Sequence, residues 1–168
     1  MGAIMETWMN EFDVRNCQAE DHHRVIGIVE QWWDGRDLTY ALPKLFFDHF
    51  NDSSYVIQRQ GELVAFLIGF LSQSCKDEGY IHFVGVHPSF RGMGLGSHLY
   101  RKFFAYCRKH HRRTVKSCTS PVNKGSIAFH VRLGFDIIPG DSTINGVDVH
   151  MNYNRQDDPK VLFMKSIG

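Results

Sequence analysis

The chain lacks a Cys-x-x-Cys pair, an apolar run long enough to cross a bilayer and an excess of one charge sign. Its four cysteines stand at 17, 75, 107 and 118. Without chelate or redox spacing they read as reduced thiols, as in a cytoplasmic protein. The run Leu63 to Leu71 is too short for a membrane span, so no membrane partner is expected. A net charge of +1 with histidines neutral gives no basis for nucleic-acid binding. Glu6 and Glu11 interrupt the N-terminal stretch, which does not read as a signal peptide. Histidine is abundant, but His22-His23 and His110-His111 are adjacent pairs. Neighbours on a helix point in different directions, so no metal site is expected. No internal repeat or low-complexity segment breaks the 168 residues, which suffice for one domain with a sizeable core.

What is present is a strand, a glycine-rich turn and a helix in succession. Residues Ile81 to His87 are rich in apolar and β-branched side chains, and Pro88 ends the strand because it cannot donate to a ladder. Arg91, Gly92, Met93, Gly94, Leu95, Gly96 and Ser97 follow. Leu95, Leu99, Phe103 and Tyr106 then recur at helical spacing. A helix N-terminus carries unsatisfied N–H groups and a positive dipole end. Glycines let its backbone approach a ligand, and Arg91 adds charge, which together suit a phosphate or pyrophosphate. No Gly-Lys-Ser/Thr ending marks a P-loop, and the glycines run G-x-G-x-G rather than G-x-G-x-x-G. The plain alternative is a glycine turn serving helix–strand packing alone.

Elsewhere the pattern predicts a loose lead-in over residues 1–11, a strand at Phe12 to Arg15 and a helix from Ala19 to Trp33 closed by Gly35. A second helix is expected over Leu42 to Phe50, then a hairpin of Tyr55 to Arg59 and Leu63 to Ser72. Gly69 inside that second strand signals a bulge or a close approach. The long helix should reach about His111. A strand over Arg113 to Thr119, a short helix over Gly125 to Leu133 and a strand over Phe135 to Ile138 come next. Asp141 to Gly146 reads as loop, and Val147 to Met151 and Val161 to Lys165 as strands. The sum is an α/β fold, a mixed, mostly antiparallel sheet with helices on both faces, in a single domain over 1–168 with its core at about 12–166.

The pattern Arg91-x-x-Gly94-x-Gly96, after Val84-x-Val86-x-Pro88, resembles the acetyl-CoA signature of the GCN5-related N-acetyltransferase (GNAT) family. A second stretch, Asn123-Lys124-Gly125-Ser126-Ile127-Ala128-Phe129-His130-Val131-Arg132-Leu133-Gly134-Phe135, resembles that family's asparagine-to-Gly-Phe segment. The resemblance covers roughly residues 12 to 138. It implies the GNAT fold and direct transfer of acetyl from acetyl-CoA to a primary amine of a small molecule or peptide, with no metal.

It also implies roles. The loop amides from Arg91 to Ser97 would hold the CoA pyrophosphate. Asn123 matches the asparagine at the pantetheine arm, and Ser126 stands where many members have alanine. The backbone near Val84 to Val86 would meet the thioester oxygen, where a bulge splays two strands. Position 130 usually holds a tyrosine that protonates the leaving thiolate; here it is His130. Some members carry histidines at the positions of Tyr80 and His82, and others a glutamate at that of Tyr80, so His82 is the first candidate base, with Glu78 a distant second. Each histidine could instead make only a structural hydrogen bond. The segment between the first two helices borders the acceptor site in the family, which makes Trp33, Asp34 and Arg36 candidate substrate contacts. Near the C-terminus, His150, Tyr153 and Asp157 could edge the acceptor cleft. An acyl-cysteine on Cys118 is a disfavoured route. A homodimer is left open, and a non-catalytic acyl-CoA sensor is the alternative function.

Overall fold

The computed structural model describes residues 11–168, and its first element is a short edge strand, β1 (Asp13–Asn16). The expected lead-in lies, apart from Glu11, outside the described residues. The chain divides into two units. One holds the residues up to Phe70 with His82–Tyr106; the other holds Leu71–Ile81 with Cys107–Gly168.

In the first unit, helix α1 (Asp21–Trp32) buries Val25, Val29 and Trp32, one stripe at helical spacing. Its start is fixed by Asp21, which is 2% exposed. The Asp21 carboxylate accepts two bonds from the Arg15 guanidinium, at 2.7 and 2.8 Å, and the Gln18 N–H at 2.8 Å. Burial pushes this carboxyl up, but the Arg15 bonds and the Gln18 amide outweigh it, and its pKa lies below the usual aspartate value.

The second helix is shorter than expected: α2 spans Leu45–His49, preceded by a 3₁₀ turn at Thr39–Ala41. Pro43 is the reason. It disfavours helical geometry in the residue before it, and Leu42 sits at φ −123° and ψ 52°. Strands β2 (Tyr55–Arg59) and β3 (Glu62–Leu71) form the expected antiparallel hairpin, and β1 pairs antiparallel with β2. The first unit's core gathers Val25, Trp32, Leu42, Phe47, Val56, Phe66 and Ile68.

Gly69 marks a close approach. A Cβ there would lie 2.6 Å from the Phe103 ring, and its main chain is taken up by Ser53 and Ser54 side chains. The register shift of this hairpin falls instead between Ile57 and Gln58.

Strand β4 (Glu78–Val86) alternates in burial except at Phe83, with Gly79, Ile81 and Gly85 buried and Glu78, Tyr80, His82, Phe83, Val84 and Val86 half-exposed. Helix α3 (Leu95–Lys109) follows it, burying Leu95, Leu99, Phe103 and Cys107.

In the second unit, the start of β4 pairs in parallel with β5 (Thr114–Thr119). After helix α4 (Lys124–Arg132) come β6 (Asp136–Ile137) and the hairpin β7 (Ser142–Ile144) and β8 (Val147–Val149). The final strand, β9 (Val161–Ser166), pairs antiparallel with both β5 and β6. The β7–β8 hairpin replaces the loop expected over Asp141 to Gly146. Its turn is Asn145-Gly146, both at positive φ (52° and 78°), the geometry that joins two twisted strands through two residues.

The sheet order is β1-β2-β3-β4-β5-β9-β6, with β7–β8 as a separate ribbon. This is the mixed, mostly antiparallel sheet the sequence predicts. No helix among the described residues is long and apolar enough to cross a membrane.

Candidate active site

The glycine-rich turn lies in the first unit, between β4 and α3. His87 ends β4: its N–H donates to the Val64 carbonyl at 2.8 Å, and its Nδ1 accepts the Ser89 N–H at 3.1 Å, capping a 3₁₀ turn at Pro88–Phe90. Gly92 and Gly94 take φ values of +80° and +87°, where an L side chain is strained. A Cβ built at either meets nothing within 4 Å. The first helical bond runs from the His98 N–H to the Gly94 carbonyl at 2.9 Å. The amides of Leu95, Gly96 and Ser97 therefore have no carbonyl of their own helix to meet. Leu95 is buried and anchors the turn; Met93 is 44% exposed.

Arg91 reaches two main-chain carbonyls. Its Nε donates to the Val86 carbonyl at 3.2 Å and its Nη2 to the Trp32 carbonyl at 2.6 Å. It ties the loop to the C-terminal end of α1, where a cation suits the dipole.

His82 is half-buried on β4. Its Nε2 lies 2.5 Å from the Ala41 carbonyl, which can only accept, so Nε2 carries the hydrogen. The ring stacks on Phe46, centroids 4.3 Å apart at 15°. Burial lowers its pKa, against a smaller rise from the Ala41 bond, so the imidazole is neutral at pH 7. His22 of α1 makes the matching contact one residue on, Nε2 to the Leu42 carbonyl at 3.1 Å. Two histidines thus grip consecutive carbonyls of the segment leading into α2. Phe46 also stacks on Phe70, and Phe50 lies against both.

In the second unit, the parallel ladder of β4 with β5 covers Glu78–Thr114, Gly79–Val115 and Tyr80–Lys116 and then stops. It ends earlier along β4 than the bulge expected near Val84 to Val86. The Ser117 hydroxyl donates to the Ile81 carbonyl at 3.0 Å where the ladder has ended. The Tyr80 hydroxyl donates to Cys118 Sγ at 3.3 Å. Burial, then Cys118, raises the Tyr80 pKa, and the phenol stays protonated. Burial also raises the Cys118 thiol, only partly offset by the Tyr80 bond and Lys160, so this is a poor nucleophile. Glu78 pairs with Lys116 at 2.6 Å.

Asn123 caps α4, its Oδ1 accepting the Ser126 N–H at 3.1 Å. His130 is 2% exposed. Its ring lies flat on Phe163, centroids 4.2 Å apart at 1°, and Nδ1 donates to the Ser126 carbonyl at 2.8 Å. Burial lowers its pKa. The Ser126 hydroxyl sits 3.4 Å from the same nitrogen. The geometry is that of a core histidine rather than of a group presented to a ligand.

Trp33 packs on Phe83, ring centroids 5.1 Å apart, and a Cβ at Gly85 would sit 2.6 Å from it. Asp34 and Arg36 are exposed in the turn that ends α1, with Asp34 at φ 55°. Nothing draws either to His82 among the described residues. The His150 backbone pairs with Lys160, and its buried Nε2 meets no partner among the described residues. Sequence reasoning missed the Ala41 carbonyl, Phe46 and Ser117. The run Leu45-Phe46-Phe47 was a signal for the aromatic wall; a backbone carbonyl leaves none.

The profile of the Acetyltransferase (GNAT) family matches residues 8–135, most of the chain. The chain belongs to the GNAT family. Both structural units contribute residues to the matched GNAT stretch. An uncharacterized N-acetyltransferase of Methanocaldococcus jannaschii is 29% identical over 148 residues, 80% of this chain. The match spans 66% of that relative's own length, just under two thirds. Ard1 from Thermoplasma volcanium superposes with a TM-score of 0.75 at 24% identity, over 93% of this chain and 97% of Ard1. Diaminobutyrate acetyltransferase from Paenibacillus lautus, solved with L-2,4-diaminobutyric acid and coenzyme A, superposes with a TM-score of 0.65 at 20% identity, over 91% of this chain and 94% of that one. At these identities the structural likenesses establish the GNAT fold.

Proposed function

We propose that this chain is an acyltransferase that moves an acetyl group from acetyl-CoA to a primary amine of a small molecule or peptide. The observation that carries the reading is the left-handed turn at Gly92 and Gly94 opening onto the free first-turn amides of a 15-residue helix. That is a built anion site, it fits a pyrophosphate, and it stands at the motif the family uses for CoA. Acetyl-CoA would supply the acetyl group as an activated thioester.

The chain's own residues do the rest. The amides of Gly92 to Ser97 bind the pyrophosphate. Asn123, its Oδ1 engaged by the cap, offers its side-chain N–H₂ to the pantetheine arm. The backbone of Val84 to Val86 donates to the thioester oxygen as charge develops there. His82 takes the proton from the acceptor ammonium, so that the neutral amine forms the new C–N bond as the C–S bond breaks. Tyr80, a phenol kept protonated by burial, is the donor for the departing thiolate in place of the buried His130, and the proton it gives up is replaced by the one that the new amide nitrogen sheds. A small diamine is the first acceptor class to test, because the diaminobutyrate enzyme shares the fold.

The test is CoA thiol release over a panel of amines, including L-2,4-diaminobutyrate and a peptide with a free α-amine, alongside calorimetry of CoA binding. Turnover with at least one amine is expected. Tight binding with no thiol released by any acceptor would replace this reading with an acyl-CoA sensor; no binding heat at all would remove the loop assignment.

A further inference from the structure

His82 is usually one of two neutral tautomers, and nothing in the sequence says which. The structure does. Nε2 must be the protonated nitrogen, because its partner at 2.5 Å is the Ala41 carbonyl. Among the described residues Nδ1 has no partner. The ring cannot easily turn, because one face lies on Phe46. Both restraints come from a single stretch of chain, the 3₁₀ turn Thr39–Ala41 and the helix Leu45–His49. That stretch is itself fastened by His22 at the Leu42 carbonyl and by the stack of Phe46 on Phe70. We infer that His82 accepts the acceptor's proton through Nδ1, and that the Ala41 carbonyl and the Phe46 ring are positioning groups that present that nitrogen.

This rests on the reading of His82 as base and adds which atom works and what holds it. A base whose other nitrogen donates to a fixed acceptor keeps its orientation through the proton transfer, since the imidazolium still donates from Nε2. The charged and titratable groups on the elements around the ring are Tyr40, Lys44, Asp48 and His49 on the stretch, Asp21, His22, His23, Arg24 and Glu30 on α1, of which His22 reaches the stretch, and Glu78 and Tyr80 on its own strand. Lys44 and Asp48 neutralise each other at 2.5 Å. The direction of the His82 shift is set by burial and the Ala41 bond, with no charged neighbour among its causes.

The test uses the full chain labelled with ¹⁵N-histidine at pH 8, with His82→Gln identifying the signal. The expected result is a protonated, pyrrole-type Nε2 and an unprotonated, pyridine-type Nδ1. A dominant Nδ1–H tautomer overturns the inference. In kinetics, Phe46→Ala should lower kcat about tenfold with little change in KM and move the acid limb of kcat/KM to higher pH as the ring is exposed. Phe46→Tyr, which keeps the stack, should restore both. If His82→Gln abolishes turnover but Phe46→Ala leaves the acid limb in place, the positioning claim fails and the base assignment stands. If His82→Gln turns over normally, the base assignment itself fails, whatever the tautomer.

Discussion

The Tyr80 hydroxyl donates to Cys118 Sγ across 3.3 Å, joining β4 to β5 at the point where their ladder ends. The bond draws the thiol pKa down, though less than burial drives it up. Tyr80→Phe should therefore slow alkylation of Cys118 at pH 8, read peptide by peptide because Cys75 is exposed. It should also lower kcat/KM at least about tenfold if the phenol protonates the leaving thiolate. Cys118→Ala should keep measurable turnover, and initial-rate plots should intersect. Parallel lines with a dead Cys118→Ala would instead establish an acyl-cysteine route.

Gly94→Val should weaken CoA binding at least about tenfold by calorimetry, because the added side chain stands where the backbone must approach the pyrophosphate. Its structural cost comes from φ +87° rather than from a clash, about 1–3 kcal/mol. Unchanged CoA affinity in a folded variant would remove the loop from the binding site.

His130→Ala should lower unfolding free energy by about 3 kcal/mol in urea, since it leaves a cavity under Phe163. His130→Phe, which keeps the stacked volume, should retain kcat within a few-fold. A large fall in kcat with stability unchanged would return the acid role to this histidine.

Asp21→Asn should cost about 2 kcal/mol, less than a fully buried pair because Arg15 is 26% exposed. The folded-state pKa of Asp21 is lowered, so its contribution is present above the unfolded aspartate value of about 4 and is lost as pH falls through the folded value. Denaturation curves of the parent chain and Asp21→Asn should converge on acidification. A constant gap down to pH 2 would contradict the ion-pair account.

Much of the fold was legible because its signals are local. The strand, the glycines and the helical spacing of Leu95, Leu99 and Phe103 lie within a few turns of one another. Helix α2 is shorter than its apolar spacing implies because Pro43 keeps Leu42 out of helical geometry, a constraint that apolar spacing does not carry. Strand β8 falls within the strand expected at Val147 to Met151, while its partner β7 reads as loop although Asn145-Gly146 is a strong two-residue turn signal. In the candidate site, the glycine loop and the cap at Asn123 were readable as motifs. His130 was not, since residue identity carries no burial: only the flat stack on Phe163 shows what the ring does. The Val86 and Trp32 carbonyls that hold Arg91 leave no trace in side-chain pattern. The partners of His22 and His82 are also main-chain oxygens, invisible to any reading of side chains.

The grip of His82 on the Ala41 carbonyl carries one more consequence. Adding a proton to an imidazole leaves its existing N–H donor in place and strengthens it with charge. Burial holds the His82 pKa below its ordinary value, so the folded chain takes up that proton less readily than the unfolded one. Mild acid therefore works against the segment that Ala41 belongs to as well as against turnover, and the pH at which the enzyme falls silent is also where its acceptor-side wall begins to loosen.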